Sequence, residues 1–371
     1  MFDYIKSRVK TLLGISDGIK AVYVETIGAC TNRCFCCPSR SGKTKQTKMS
    51  EETFQLIISK LKEINYKEEL HIYGQCEPFL DKDIINKICY AHKELPGAKI
   101  VLISNFTVLN DNIIDEILKA PIHNFSTSVY GLDIDTYKKT AGSNNFKLFF
   151  INLVKFLKKY AQINPYSFAI YIIHSEFMDH DIDFIRHFLF NIVPARFIQE
   201  SKIIPFFNTT FNKLKRSKKY FTRCNYIDLK ITSDGDMVSC PADAKNLLRV
   251  GNISEDKTIY EIYNSKTAKN LRKKMLYSNS KDAYCQYCDS RRGGTLFDYL
   301  FPIFKHTHTR IVNGEKDQYG HKLKAQRNTF EEMQEKLVVF NQIFKDDEQD
   351  KWLEALSNLR KEFYANKQTI N

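Results

Sequence analysis

The alternation of short apolar runs with amphipathic segments is the feature that most constrains how this chain can fold. Six runs have the apolar, β-branched and aromatic character of strands, and they span 21–27, 70–74, 99–104, 123–130, 167–173 and 195–204. Segments of helical period separate them, beginning at Ser50 and then covering 82–95, 110–119, 145–161 and 181–191. Continuous apolar strands suit a sheet that is covered on both faces, so we predict a parallel α/β domain over residues 21–205.

Periodicity alone leaves two α/β architectures open for this domain. An open partial barrel and a doubly wound sheet both consist of parallel strands joined by helices. In either architecture, ligands bind at the carboxyl ends of the strands. The residues that follow each strand are therefore the candidates for a functional site.

The rest of the 371-residue chain divides into three smaller regions. Residues 1–20 predict a short basic amphipathic helix, and residues 206–295 combine four cysteines with short strand-like pieces. Residues 296–371 end in two amphipathic helices rich in charge pairs. No apolar segment approaches the ~20 residues of a membrane-spanning helix, and the N-terminus lacks the apolar core of a signal peptide. We therefore expect a cytoplasmic protein.

The net charge of +13 permits anionic partners. Nucleotides, phosphorylated sugars, nucleic acid and acidic lipid would all be attracted by it. Lysine is abundant almost everywhere in the chain, and no nucleic-acid recognition motif accompanies it. We expect a small-molecule substrate, with the charge favouring one that carries a phosphate, and no nucleic-acid partner.

Four cysteines lie within eight residues in the stretch ACTNRCFCCPSR, immediately after the first predicted strand. Cys30, Cys34 and Cys37 have the spacing C-x3-C-x2-C, and Cys36 is the extra thiol. In a reducing compartment, cysteines serve as ligands or catalysts more often than as disulfides. Three thiolates on one loop can each bind one iron of an iron–sulfur cube and leave the fourth iron open. A zinc knuckle is the alternative, although a structural zinc site needs a fourth ligand.

This loop, at the carboxyl end of the first strand, resembles the signature of the radical S-adenosylmethionine (SAM) enzymes. The resemblance implies a partial (β/α)6 TIM-like barrel in which Cys30, Cys34 and Cys37 hold a [4Fe–4S] cluster. It implies that the open iron chelates the amino and carboxylate groups of SAM. An electron then cleaves the sulfonium to give a 5′-deoxyadenosyl radical, and the donor would be a flavodoxin or ferredoxin. The family commonly has an aromatic residue before the last cysteine, where this chain has Cys36.

A second motif, YGQCEPFLD at 73–81, closes the second strand and resembles the family's Gly-Gly-Glu-Pro motif. A carboxylate is chemically suited to the SAM ammonium group, and small residues let the backbone approach it. The resemblance therefore implies that Glu77 and the backbone of Gly74, Gln75 and Cys76 bind SAM. The family pattern has glycine where this chain has Cys76.

The ends of the next strands offer further candidates. Ser104 and Asn105 end the third strand, where the family often has Thr-Asn-Gly, and Ser128 ends the fourth, where a polar side chain commonly meets the SAM ribose. Each of them could instead be an ordinary hydrogen-bonding residue at a strand end. The last two strands end in residues that could face a substrate: His174, Ser175 and Glu200.

Four cysteines downstream form a second set: Cys224, Cys240, Cys285 and Cys288. A β-hairpin around the turn SDGD would bring the first two together, and four thiolates complete a ligand set for zinc or for a [4Fe–4S] cluster. A zinc ribbon also uses two cysteine pairs. The stretch from Cys224 through GNI to CQYC resembles the auxiliary-cluster region of the SPASM/twitch radical SAM proteins. The order of the four cysteines in this chain, a widely spaced pair followed by C-x2-C, resembles that of the aminoglycoside cyclitol dehydrogenases. This resemblance implies one auxiliary [4Fe–4S] cluster.

The resemblance covers about residues 21–290 and implies a radical SAM oxidoreductase. We expect it to dehydrogenate a small polar substrate, such as a sugar, a cyclitol or a nucleotide-linked sugar, with the auxiliary cluster accepting an electron. Epimerisation is the alternative, and it would need a thiol hydrogen donor such as Cys36 or Cys76. Modification of a ribosomal peptide is another. Cys89 has the helical spacing of a small core residue.

Proteins of a different class could also carry two cysteine sets. A non-catalytic iron–sulfur electron carrier and a zinc-stabilised binding protein both satisfy the ligand spacing. Two cubane clusters require about eight irons per chain, and a carrier would not cleave SAM. Iron content and SAM cleavage therefore separate the classes.

Overall fold

The computed structural model describes residues 18–37, 47–163, 167–194, 197–202, 221–223, 228–243, 245–276, 292–294 and 329–368. The predicted N-terminal helix lies outside the described residues except for its last three positions. Cys224, Cys285 and Cys288 also lie outside them.

Six parallel strands form one side of a nine-stranded sheet, out to its edge strand, and are neighbours in chain order. They are β1 (Ala21–Val24), β2 (Glu69–His71), β3 (Lys99–Ser104), β4 (Asn124–Val129), β5 (Ser167–His174) and β6 (Ile198–Lys202). A doubly wound sheet would reverse this order at a switch point. The sequential order therefore separates the two architectures that periodicity left open, and it is the order of a partial (β/α)6 barrel.

Helices connect consecutive strands, as the sequence predicts. They are α1 (Glu51–Glu63), α2 (Ile84–Glu94), α3 (Asp111–Lys119), α4 (Ile134–Ala141), α5 (Phe146–Ile163) and α6 (Ile182–Ile192). Side chains cap three of them: Ser50 accepts the Thr53 N–H, Asn110 the Ile113 N–H and Asp133 the Thr136 N–H. Only α4 is absent from the predictions, because its eight residues are too few for a clear apolar period.

The two faces of the sheet differ. This is unlike the prediction from the apolar strands, which is that both faces are covered. Val22, Leu70 and Ile170 are fully buried in the apolar core that the helices also line. The opposite face carries polar and aromatic side chains that alternate with these: Tyr23, His71, Tyr73, Ser126, Ser128 and Tyr171. Right-handed crossovers between sequential strands place all the helices on one side. The second face is therefore the one available to a polar ligand.

The helix-covered core is built around a cluster of phenylalanine rings. Phe156 on α5 is fully buried, and its ring centroid lies 4.9 Å from Phe168, 5.2 Å from Phe106 and 5.4 Å from Phe125. These rings come from the end of β3, from β4 and β5, and from α5, so one cluster joins three neighbouring strands and the helix that precedes β5. Aromatic pairs at such distances add to the stabilisation from buried area.

Cys89 is exposed, so its prediction as a small core residue is wrong. Helix α2 buries Ile84, Ile88 and Ala91 at the spacing i, i+4 and i+7. Cys89 follows Ile88 by one residue, about 100° further around the helix, which turns it to solvent.

Three further strands extend the sheet beyond β1. They are β8 (Leu229–Ile231), β9 (Asp236–Val238) and β10 (Arg249–Asn252), after the separate strand β7 (Phe221–Arg223) that pairs with β11 (Arg292–Gly294). β8 runs parallel to β1, and β9 returns antiparallel to β8, which confirms the predicted hairpin. Gly235 in its turn has φ +80°, and a Cβ there would lie 2.8 Å from Ile253 Cγ2.

Two C-terminal helices pack onto α5 and α6, after the short helices α7 (Ile259–Tyr263) and α8 (Lys266–Leu276). They are α9 (Thr329–Ile343) and α10 (Trp352–Gln368). Arg360 Nε contacts the buried Asp181 Oδ1 at 2.9 Å, and the Tyr364 hydroxyl donates to the same oxygen at 3.0 Å. Residues 329–368 thus complete the core around Phe344 and Trp352. Within the described part of the chain, none of the helices has the length and apolarity required to span a membrane.

Replacement of Phe156 by alanine is expected to lower the free energy of unfolding by about 3–5 kcal/mol, since it removes the shared ring of the cluster and leaves a cavity. Leu148→Ala on the same helix is the control, because Leu148 is 51% exposed. Chemical denaturation of both variants measures the difference. A Phe156→Ala cost equal to that of Leu148→Ala would contradict this account of the core.

Candidate active site

The loop after β1 carries the cysteines and is fixed by the end of α4. Its backbone donates from Arg33 N–H to Ala141 O at 2.9 Å and from Phe35 N–H to Thr140 O at 2.8 Å. Gly142 ends α4 with φ +63°, and a Cβ there would lie 2.1 Å from Arg33 O. Glycine is therefore required at 142 both for its conformation and for the close approach of the loop.

Asn32 anchors the middle of the loop to the same region. Its side chain is 1% exposed, donates to the Tyr137 hydroxyl at 3.1 Å and accepts from the Ser143 hydroxyl at 2.7 Å. A buried amide with both ends paired holds one orientation. The loop therefore has a defined shape before anything binds to it.

The thiols of this loop lie close enough to influence one another. Burial, followed by the nearby Cys37 thiol, raises the pKa of Cys36 to about 12, and burial raises the pKa of Cys30 to about 12. Burial also raises the pKa of Cys34 well above its usual range. Metal binding would replace the protons of such thiols, because the thiolate is the ligand. Among the described residues, no three His, Cys, Asp or Glu side chains are close enough to hold one metal ion as they stand.

Tyr130, which the sequence reasoning missed, lies beside two of these thiols. Its hydroxyl hydrogen-bonds to both Cys34 and Cys36. Tyr130 directly follows β4, so a residue at the end of the fourth strand contacts the loop that follows the first strand. Tyr130 stands two residues after Ser128, but no spacing in the sequence links it to the cysteines.

Glu77 joins the ends of β2 and β3. It is 1% exposed, and its carboxylate accepts from the Ser104 hydroxyl at 2.9 Å, the Asn105 N–H at 2.7 Å and the Phe79 N–H at 3.3 Å. Burial raises the pKa of Glu77 to about 7, against the opposing effect of these hydrogen bonds. Its own N–H donates to Ala29 O at 2.9 Å, directly before Cys30.

Asn105 completes the connection to the cysteine loop. Its Nδ2 lies 3.1 Å from Thr31 Oγ1 and 3.5 Å from Cys30 Sγ. The structure thus brings together Cys30, Glu77, Ser104 and Asn105, which the sequence placed at the ends of three separate strands. Ser128 lies half-buried at the end of β4, on the same face as Tyr23 and Tyr171.

His174 and Glu200 bond to each other on the other side of the sheet. His174 Nε2 lies 2.6 Å from Glu200 Oε2, and Arg186 on α6 binds the same carboxylate at 2.7 and 2.8 Å. Glu200 lies in register with Ile172, which faces the helices. This group therefore ties α6 to the sheet and does not face the polar side.

A buried ion pair, also missed from the sequence, supports the turn that contains Glu77. Asp81 and Lys87 are 0% and 1% exposed in their side chains, and Lys87 Nζ lies 2.6 Å from Asp81 Oδ2. Lys48 approaches the other oxygen of Asp81 at 3.1 Å. The pair locks the start of α2 directly behind the short 3-10 helix Pro78–Leu80 that Glu77 caps.

Lys87→Met is expected to lower the free energy of unfolding by about 3 kcal/mol, because it leaves a buried carboxylate with one less partner. Lys62→Met is the matched control, since Lys62 forms a 2.7 Å pair with Glu94 while 61% of its side chain is exposed. Exposed pairs contribute about 0–1 kcal/mol. Equal costs in denaturant titrations of the two variants would show that the buried pair does not support the turn.

Comparisons with known proteins agree with this arrangement. The model of the Radical SAM superfamily matches residues 24–189, and that of the SPASM iron–sulfur cluster-binding domain matches residues 223–289. Among solved structures, anSMEcpe with bound AdoMet and Cp18Cys peptide is 14% identical, with a TM-score of 0.56 over 79% of this chain and 98% of its own. BtrN in complex with AdoMet and 2-DOIA is 14% identical, with a TM-score of 0.49 over 74% of this chain and 94% of its own.

A sequence relative is an uncharacterized protein of Methanocaldococcus jannaschii, 26% identical over 144 residues. The match covers 36% of this chain and spans about a third, 33%, of that relative. At 14% identity, the anSMEcpe structure shows a shared fold alone. The sequential parallel sheet and the cysteine loop agree with the two family matches: residues 24–189 belong to the radical SAM superfamily, whose members use SAM and a [4Fe–4S] cluster, and residues 223–289 match a SPASM-type region for auxiliary iron–sulfur binding.

Proposed function

We propose that this radical SAM enzyme dehydrogenates a small polar substrate at the carboxyl edge of its sheet. The observation that carries the proposal is the contact network in which Asn105 touches both Cys30 and Glu77. It joins the cysteine loop, the Glu-Pro turn and the end of β3 into one site. A catalytic role for the loop requires this convergence, because SAM has to meet the cluster and its binding turn together.

The residues present fit the cofactors. Cys30, Cys34 and Cys37 would hold the cluster that binds SAM, and the turn Gly74–Glu77 together with Ser104, Asn105 and Ser128 would bind SAM itself. Gln75 is 9% exposed, and its Nε2 has no hydrogen-bond partner among the described residues, as expected of a polar group that awaits a ligand. When bound, SAM and the cluster together supply a 5′-deoxyadenosyl radical that abstracts hydrogen from a substrate, after reduction by a donor of the flavodoxin or ferredoxin type.

The second cysteine set supports an oxidation. We propose Cys224, Cys240, Cys285 and Cys288 as ligands of an auxiliary [4Fe–4S] cluster, of which Cys240 is described and buried. Because β9 returns antiparallel, Cys240 lies near the amino edge of the sheet, opposite the loop of Cys30. Four residues of β1 separate the two edges by about 13 Å at ~3.3 Å per residue. Oxidation of a carbinol to a ketone removes a hydrogen atom, a proton and an electron, and a fully ligated cluster would accept that electron.

The polar face between these two edges suits a hydroxylated substrate. The His71 ring stacks on Tyr23 with centroids 4.2 Å apart, and its Nδ1 lies 2.9 Å from the Tyr73 hydroxyl. Glu69 lies 3.0 Å from His71 Nε2. Burial lowers the pKa of His71 against the opposing effect of Glu69. His71 thus holds the Tyr23 and Tyr73 side chains on this face. Tyrosine hydroxyls can both donate hydrogen bonds to the hydroxyl groups of a substrate and accept them.

Epimerisation is the second candidate, and the position of Cys76 favours it. This thiol lies within the proposed SAM-binding turn and close to Cys30. A substrate radical could take a hydrogen atom back from such a thiol. Cys36 is a weaker donor candidate because it is buried and hydrogen-bonded by Tyr130. Modification of a peptide would use the same hydrogen abstraction on a larger substrate.

Anaerobic turnover in deuterated water separates these reactions. With sugars, cyclitols and their phosphates offered together with SAM, we expect 5′-deoxyadenosine and a ketone product without deuterium at carbon. Deuterium at an inverted carbon, lost in Cys76→Ala, would establish the epimerase instead. Conversion of a peptide and of none of the small polar substrates would overturn the proposed substrate class.

Iron content tests the two cluster sites separately. Reconstituted enzyme is expected to bind about eight irons per chain, and Cys240→Ala about four with SAM cleavage retained. Cys30→Ser is also expected to bind about four but to cleave no SAM. Cys89→Ala is the control, since Cys89 is exposed on α2. Zinc in place of iron that is lost in Cys240→Ala would contradict the electron-accepting role.

A further inference from the structure

Glu25 links three parts of the molecule at the point where β1 ends. Its N–H donates to Ile231 O of β8 at 2.9 Å, which ties it to the auxiliary hairpin. Its side-chain Oε1 accepts the N–H of Gln75 at 2.9 Å, which ties it to the turn Gly74–Glu77. It lies five positions before Cys30, on the segment that leads into the cysteine loop.

Gly74 leaves the space that this side chain occupies. A Cβ on Gly74 would lie 2.2 Å from both Cγ and Oε1 of Glu25. Such an approach is far inside the ~3.5–4.0 Å of ordinary carbon contacts. The Glu25 side chain therefore occupies space that is free only because residue 74 is glycine.

The same carboxylate lies beside the other residues of the turn. Burial, followed by the negative charge of Glu25, raises the pKa of the Cys76 thiol well above its usual range. Gln75, whose backbone Glu25 holds, keeps a buried side-chain Nε2 without a partner among the described residues. The turn is thus fixed through its backbone while its polar side chain is left for a ligand.

We propose that Glu25 is a positioning residue, which holds the turn Gly74–Glu77 in the conformation that presents it to the SAM ammonium group. A hydrogen bond from a backbone N–H to a carboxylate is of the strong, charge-assisted kind. Because the backbone of Glu25 is held by β8, the orientation of the turn also depends on the auxiliary hairpin. This inference rests on the proposed SAM-binding role of the turn.

The test compares SAM binding with the stability and the mobility of the turn in cluster-reconstituted enzyme. The variants are Glu25→Ala, Glu25→Gln, Gly74→Ala and the double variant, with Glu68→Ala as the control because 53% of the Glu68 side chain is exposed. Equilibrium dialysis gives the SAM Kd, thermal unfolding gives Tm, and hydrogen exchange of the peptide covering 73–77 reports the turn itself.

Glu25→Ala is expected to raise the SAM Kd about tenfold and to accelerate exchange of the turn. Glu25→Gln keeps an oxygen acceptor and is expected to stay within about threefold of the unchanged enzyme. Gly74→Ala alone should raise the Kd more than Glu25→Ala does, since its methyl group meets the carboxylate. The double variant should bind SAM no worse than Glu25→Ala, because removal of the carboxylate makes room for the methyl group.

Three results would overturn the inference. They are a Glu25→Ala variant that binds SAM as the unchanged enzyme does, a double variant whose loss equals the product of the single losses, and equal losses in Glu25→Ala and Glu25→Gln with matching falls in Tm. Failure of the proposed function is recognised separately, because the unchanged enzyme would then bind no SAM. The exchange of the turn would still show whether Glu25 holds it.

Discussion

The buried carboxylate of Glu77 is the interaction on which the candidate site depends. A carboxylate at 1% exposure loses almost all its hydration, and the rise of its pKa to about 7 reflects that loss. Three donors from Ser104, Asn105 and Phe79 compensate for it. Because two of them come from the end of β3 and Glu77 follows β2, the carboxylate holds two adjacent strand ends at a fixed spacing. Asn105 then connects these two strand ends to Cys30 in the cysteine loop, through its side-chain contact with the Cys30 sulfur.

This arrangement is supported from behind by groups that do not meet a ligand. The Asp81–Lys87 pair holds the start of α2 against the Glu-Pro turn, and Gly142 lets the end of α4 meet the backbone of the cysteine loop. Glu25 holds the turn from the side of β1. Buried polar groups of this kind limit the site to one geometry, provided that each of them is paired. The site is therefore held in place from its helix side.

The sheet itself explains why one face is left for chemistry. Sequential parallel strands with right-handed crossovers place every connecting helix on the same side, so only alternate residues of each strand enter the apolar core. Phe156 and its neighbouring rings fill that side. Tyr23, His71 and Ser128 alternate with the core residues and are left on the other side, between the cysteine loop at one edge and Cys240 near the other. The hairpin β8–β9 widens this surface beyond β1.

The sequence by itself determined the strand–helix alternation, the family and the segments that form the site, because apolar periodicity and cysteine spacing are local properties. The predicted strands β1 and β2 end too late, because Ile27 and Tyr73 continue an apolar pattern after the backbone has left the strand for the site loops. Only the tertiary structure decided the strand order, the burial of Glu77 by Ser104 and Asn105, the exposure of Cys89 and the orientation of Glu200 toward Arg186. It also decided the contacts of Tyr130, Asp81 and Glu25. Each of these depends on which residues from distant parts of the chain become neighbours, and no local pattern records that.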